Sequence, residues 1–265
     1  MAIGKRVTVV VILAMGIALL QTAGPSAEPV AVRHIDGTSH GFLALRSTTG
    51  SLLASGDQAQ VARGERITNK VVFRFKDGSI HDETAIFSQK GHLRLIAYHL
   101  VQKGPAFPRA LDMTIDPPTG QVEVRYTDRG ENKSEIEHLD LPADLGNGMM
   151  NAILKNLEPN TLPASVSYVA ATPKPRIVKL TITSAGLEPF SAAGAGYKAT
   201  HYVVKIDIGG VEGLLAPLVG KEPPDSHVWI LRGEAPVFVK SATTLFMGGP
   251  IWRIEPASPV WPEAH

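Results

Sequence analysis

His81 and Glu83 stand two residues apart in a stretch of alternating polarity, so a strand there sets an imidazole and a carboxylate on one face. His99 joins them if the intervening turn is three residues long (89–91), because that register sets it opposite His81. Two imidazoles and a carboxylate are the ligand types of a hydrolytic zinc centre. A two-residue turn instead sets His99 opposite Asp82, on the other face, and leaves hydrogen-bonded or solvated strand residues. Register therefore decides this chemistry. No H-E-x-x-H or comparable spacing occurs elsewhere.

Other reagent-like patterns have simpler explanations. Gly37, Ser39 and Gly41 fit the G-x-S-x-G pattern of serine hydrolases, but a nucleophile elbow joins a buried strand to a helix, and this pentapeptide feeds a strand. Asp112 and Asp116 lie at the two ends of one short strand, roughly 13 Å apart at about 3.3 Å per residue, too far to share a proton. Gly194 and Gly196 precede no helix N-terminus, so they make no phosphate cradle. Asn132, Lys133 and Ser134 match a glycosylation acceptor, which has meaning in a host that glycosylates.

The elements that position these residues read as strands. Residues 71–76 and 79–89 flank Asp77-Gly78, a hairpin signal in which both residues tolerate the positive φ of a type I′ turn. Lys90-Gly91 reverses the chain again into residues 92–103, and Pro117 to Gly120 marks another turn between residues 109–116 and 121–127. Residues 41–63 read as short strands, with Thr49-Gly50 and Ser55-Gly56-Asp57 as turns. Further strands are expected over 133–138, 165–171, 176–184 and 197–208. In the last of these, Tyr202, Val204, Ile206 and Ile208 share one face and His201, Val203, Lys205 and Asp207 the other. Strands at about ten-residue spacing predict an antiparallel sandwich or barrel and argue against alternating β-α units. One helix is expected, over 141–157, where Leu141, Leu145, Met149, Ile153 and Leu157 fall four apart, with Pro142 in its first turn and Pro159 beyond its end. Its apolar stripe belongs to the core, plugging the open face of a curved sheet.

Between the strands lies an apolar excursion, residues 209–221, with Val211, Leu214, Leu215, Leu218 and Val219 at helix-like spacing around Pro217. Such a segment seeks burial. It either caps one end of a barrel as a short helical turn, or forms a hinged lid over a ligand cavity or a patch that touches lipid. These five residues are the candidate ligand contacts.

The first residues have the form of a secretory leader: Lys5 and Arg6, then an uncharged apolar run over 7–20, then small residues. That run is shorter than the roughly 18–20 apolar residues a spanning helix needs. A signal peptide over 1–27 and one β-rich domain over 28–265 with a Pro-rich tail are expected, and the location is periplasmic or secreted. No cysteine is present, so disulfides and an N-terminal lipid anchor through Cys are excluded. Of 26 Lys and Arg residues two lie in the leader, and the rest are scattered among 25 acidic residues, which gives no footprint for nucleic acid.

The leader, the strand meander, the mid-chain helix and the motifs HVWILRGEAPVFVK (227–240) and PIWRIE (250–255) together resemble a family of uncharacterised bacterial exported proteins. The match is clearest over 197–255, with Trp229, Pro236 and Trp252 as landmarks. Members look like open antiparallel β-barrels, similar in outline to periplasmic lipoprotein carriers. The resemblance carries no activity and no functional residue; by analogy of fold it implies a concave face that holds an acyl chain or other apolar ligand.

The sequence thus predicts a mainly β protein, a curved antiparallel sheet or partly open β-barrel with one amphipathic helix packed on it. Its expected role is a non-enzymatic binding or envelope-associated module for an apolar or amphipathic ligand such as a lipid, with no cofactor, no nucleic acid and no membrane span after leader removal. Two alternatives stand beside it: an exported metal-dependent hydrolase using His81, Glu83 and His99, and a structural envelope protein whose apolar loop a protein partner covers.

Overall fold

The computed structural model describes residues 28–192, 195–207 and 223–257. The apolar residues 211–219, residues 1–27 and the end of the tail lie outside them. Fourteen strands form one antiparallel sheet: β1 (Ser39–Arg46), β2 (Leu52–Arg63), β3 (Arg66–Phe75), β4 (Ile80–Ser88), β5 (Arg94–Lys103), β6 (Leu111–Asp116), β7 (Gln121–Asp128), β8 (Glu131–His138), β9 (Ala164–Ala170), β10 (Arg176–Ala192), β11 (Ala195–Asp207), β12 (Ser226–Leu231), β13 (Val237–Thr243) and β14 (Trp252–Pro256). The order across the sheet is β8 back to β1, then β14 back to β9. Every pairing joins strands consecutive in the chain except β1 with β14, so β8 and β9 end up as the two edges. The sheet does not close.

Its curvature follows from which residues share a core. Inner-face residues of β3–β7 (Ile67, Phe87, Leu100, Met113, Val124) pack in one cluster with those of β9–β12 (Val166, Ile182, Val204, Ile230). Both ends of the sheet therefore curl toward a common axis, where helix α1 (Met150–Asn156) contributes Ile153 and Leu154. A smaller aromatic cluster of Phe73, Phe75, Phe107 and Trp252 fills the turn of the sheet around β1 and β14.

Helix α1 is less than half the length that the leucine spacing predicts. Residues 141–149 instead run alongside β9 and finish its edge. Gly146 N–H donates to Ser167 O at 2.8 Å, and the Asp144 carboxylate accepts from the Ser167 N–H and hydroxyl. The Asn147 amide then bonds the Val169 C=O and N–H at 2.9 and 2.8 Å, as a neighbouring strand would. An exposed edge is a site for unwanted pairing, and side chains here occupy it. Gly148 ends this run at φ +67°, a conformation an ordinary residue resists, where a Cβ would lie 2.6 Å from the Ala85 Cβ.

The other end of α1 is held from two sides. Arg232 donates to the Leu157 and Lys155 carbonyls at 2.9 and 3.2 Å, a cation on the negative end of the helix. Asn156 Oδ1 accepts from the backbone N–H of Arg33 and His34, while Gln89 brackets Asp36 through both its amide atoms. Residues 30–36 are thereby strapped across the helix end, with a Lys155–Asp36 ion pair beside them.

Two turn readings are corrected. The β3–β4 hairpin is present, but Gly78 alone has positive φ there, so the turn is not type I′. Ser55-Gly56-Asp57 is not a turn: it lies inside β2, where Gly56 makes room for the Phe73 ring, 2.5 Å from where a Cβ would stand.

Candidate functional site

On β4 the residues His81, Glu83, Ala85 and Phe87 alternate onto the inner face, as the period of two requires. Their partners on β5 are Gln102 opposite His81, Leu100 opposite Glu83 and Tyr98 opposite Ala85. Tyr98 leans along the strand and its hydroxyl donates to Glu83 Oε1 at 2.7 Å. From β9, on the far side of the curl, Tyr168 approaches the same pair.

This is a desolvated acid site. Burial pushes the Glu83 carboxyl above the usual carboxylate range, and the Tyr98 hydrogen bond offsets part of that rise. Burial, reinforced by the negative charge of Glu83, also raises both phenols. Tyr98 is buried, whereas Glu83 and Tyr168 keep a strip of solvent contact although protein surrounds them. The group is a hydrogen-bonding patch on the inner face of the sheet.

His81 is a core histidine. Burial lowers it to about 4, so its ring is neutral near pH 7. Gln102 Nε2 donates to its Nδ1 at 3.1 Å and to Leu245 O at 2.6 Å, and the Phe73 and Phe107 rings flank it.

The metal set His81, Glu83 and His99 does not assemble. His81 and Glu83 share a face as predicted, but His99 pairs opposite Thr84 and points to the outer face, where Asp112 Oδ1 lies 2.9 Å from its Nε2. Five residues separate β4 from β5 and a bulge follows Ile86, so the register differs from the three-residue-turn case by three. An odd shift reverses the face. Among the described residues no three His, Cys, Asp or Glu side chains converge as metal ligands.

A cleft of about 250 Å³ opens where the start of β5, the β6–β7 turn and residues 141–145 meet. Leu95 and Leu145 are buried beneath it, Pro117, Pro118 and Pro142 give it stiff walls, and Leu141 completes the apolar lining. Exposed Arg94 stands beside this apolar surface with no ion-pair partner among the described residues. The arrangement can bury a short hydrocarbon segment and meet an anionic group at its end.

The sequence-predicted contacts Val211, Leu214, Leu215, Leu218 and Val219 lie outside the described residues. The Glu83–Tyr98–Tyr168 group was not readable from sequence, since Tyr168 reaches it from a strand some seventy residues away across the sheet. The Arg94 cleft left a faint mark in its three prolines, which the sequence presents only as turn and helix-start signals.

No protein-family model matches the chain, and no curated protein matches it. Solved structures similar to it include two whose folds have been described. One is the beta-barrel-like protein of a domain of unknown function, DUF1849, from Brucella abortus, at 9% identity and a TM-score of 0.45, covering 85% of this chain and 96% of that one. The other is the hypothetical lipoprotein YmcC from Escherichia coli, at 10% identity and a TM-score of 0.35, covering 83% and 85%. No residue role passes from either.

Proposed function

We propose that this chain is an exported, envelope-associated binding module for an amphipathic molecule, and that it does its work by burial and hydrogen bonding rather than by catalysis. The observation that carries the reading is the cleft whose buried Leu95 and Leu145 lie beside the exposed Arg94 guanidinium, which has no ion-pair partner among the described residues. Apolar area removed from water contributes roughly 25 cal/mol per Å², and a carboxylate or phosphate head meets the cation without breaking an existing ion pair. At about 250 Å³ the cleft takes part of an acyl chain rather than a bulky ligand. The leader-like residues 1–27 support export. Val211, Leu214, Leu215, Leu218 and Val219 belong to the same proposal as further apolar contacts.

The test is titration with a fluorescent fatty acid and with the matching uncharged alcohol. Ala143→Trp, at an exposed position on the cleft, is expected to abolish binding of both without disturbing the core. Arg94→Glu is expected to weaken the acid by about fivefold and leave the alcohol unchanged, the scale of one exposed ion pair. Absence of saturable binding to the unmodified chain sinks the reading.

A further inference from the structure

The sheet ends differently at its two edges. At β9 the side chains of Asp144 and Asn147 bond the outward backbone, whereas β8 has no neighbour beyond it among the described residues. One bond and the register fix which backbone groups β8 leaves over. Leu139 N–H donates to Gly120 O at 2.9 Å, so this pair is a bonded one. Bonded and non-bonded pairs alternate along an antiparallel ladder, and β8 pairs with β7 from His138 opposite Gln121 to Glu131 opposite Asp128. The residues bonded to β7 are therefore Glu137, Glu135, Lys133 and Glu131. The two-residue turn Arg129-Gly130, with φ of +52° and +85°, requires the same closing pair. The N–H and C=O of Asn132, Ser134, Ile136 and His138 point the other way, out of the sheet.

Alternation divides the side chains as well. Glu131, Lys133, Glu135 and Glu137 share the face of the buried Val122 and Val124, and Asn132, Ser134, Ile136 and His138 share the other. Lys133 is engaged by Asp128 at 2.7 Å, while Glu131, Glu135 and Glu137 have no ion-pair partner among the described residues. Ile136, 56% exposed, stands between the last two on the opposite face. We propose that this edge takes an extended segment of a partner protein in which an apolar residue lies between two Lys or Arg residues, adding a strand antiparallel to β8.

Backbone geometry and charge together select that occupant. An exposed edge is a template for strand addition, and its main-chain bonds supply affinity whatever the sequence of the added strand. A second copy of β8 is the first competitor, and charge rejects it. Outward residues must face outward residues, so antiparallel pairing of two β8 strands sets the row Glu131, Lys133, Glu135 and Glu137 against itself. Every register that overlaps more than half of the strand then places two glutamates directly opposite each other. Glu131 meets Glu137 when the pair is centred on Ser134, and Glu135 meets its own copy when it is centred there. Like charges in that relation destabilise a strand pair. A Lys or Arg opposite Glu135 and another opposite Glu137 turns repulsion into two ion pairs, at carboxylates that are only half exposed to solvent. The residue between those two cations falls opposite Ile136 on the other face, where an apolar side chain covers it.

Calorimetric titration of the full chain with two blocked peptides tests the site. One alternates Val with flanking Thr around a central Lys-Val-Lys, and the other carries Glu in place of both Lys. The Lys peptide is expected to bind one to one and about tenfold more tightly than the Glu peptide, the scale of two cross-strand charge pairs. Amide hydrogen exchange should slow at Asn132, Ser134, Ile136 and His138 and stay unchanged at Lys133 and Glu135, whose amides β7 already holds. Glu135→Lys combined with Glu137→Lys should invert the preference between the two peptides. Ser134→Pro removes only an outward N–H, which an edge strand tolerates, and should weaken the Lys peptide by about tenfold. No saturable binding to the parent chain, equal binding of the two peptides, or protection confined to residues outside β8 overturns the proposal. So does a concentration-dependent dimer of the chain that protects the same amides.

Discussion

Glu83 and Glu188 are the same residue type in the same sheet, each beside an aromatic donor, and their surroundings drive them in opposite directions. On the inner face burial dominates: the Tyr98 hydroxyl relieves only part of the cost of a buried charge, and Glu83 rises. On the outer face partners dominate: the Trp229 N–H first, then His201 and Lys240, hold Glu188 below the usual carboxylate range. The histidines divide in the same way. His81 is neutral because aromatic rings and sheet surround it, whereas His201 sits between a carboxylate and a second imidazole. A hydrogen bond to a carboxyl does not by itself fix its charge; the solvent left around it decides how much that bond must offset. One sheet thereby raises a carboxyl on its concave face, where burial dominates, and lowers one on its convex face, where partners dominate.

The widest disturbance of this contrast comes from behind the inner site. Gly148→Val adds a side chain at positive φ against Ala85 and Tyr98, so it displaces the wall of the Glu83 site and is expected to cost about 3–5 kcal/mol in denaturant unfolding. The outer cluster is unaffected. A stability near that of the parent chain would show that residues 144–148 do not pack as described.

Next in size is the acid sensitivity of His81. Its folded value near 4 lies below the ordinary 6.5, so the unfolded chain takes up the proton first as pH falls, and stability drops from about pH 6.5 down to about pH 4. The loss attributable to this residue approaches about 3 kcal/mol at the lower end. His81→Gln is expected to flatten that part of the stability profile. An equal slope in both chains contradicts a neutral core histidine.

Glu83→Gln has the opposite sign. A carboxyl raised in the fold keeps its proton after the unfolded chain has lost it, so it costs stability as pH rises past the ordinary carboxylate range. The amide still accepts from Tyr98 and removes this cost. The variant should be the more stable protein at neutral pH, with the gap closing on acidification. A gap that is constant with pH would place the charge elsewhere. Glu188→Gln, at a half-exposed position, should change neutral-pH stability by less than about 1 kcal/mol in the same experiment, and a larger loss would mean that the outer cluster is structural.

Much of this arrangement could be read from the residues. Alternation gave the strands, and glycines at Gly91 and Gly120, both at positive φ, marked the reversals. Tyr202, Val204 and Ile206 face inward, opposite His201, as their spacing requires. The errors share a physical cause, which is that local pattern does not report tertiary partners. Leu141, Leu145 and Met149 have helical spacing, yet the chain there is spent on bonding the free edge of β9 through Asp144 and Asn147. Gly56 resembles a turn residue because the ring it accommodates belongs to the next strand. His99 moved to the outer face because a longer connection and a bulge shift the register by an odd number. Within the concave site, His81 and Glu83 were legible as a same-face pair, while Tyr168 and Arg94 acquire meaning only when the sheet curls and residues 141–145 fold over it.

Native mass spectrometry of the chain recovered from the cells that make it tests the central claim most directly. An amphipathic molecule bound one to one, and lost from Ala143→Trp, is the predicted result; a ligand-free spectrum of the unmodified chain, with fatty acid added in excess and still unbound, would contradict it.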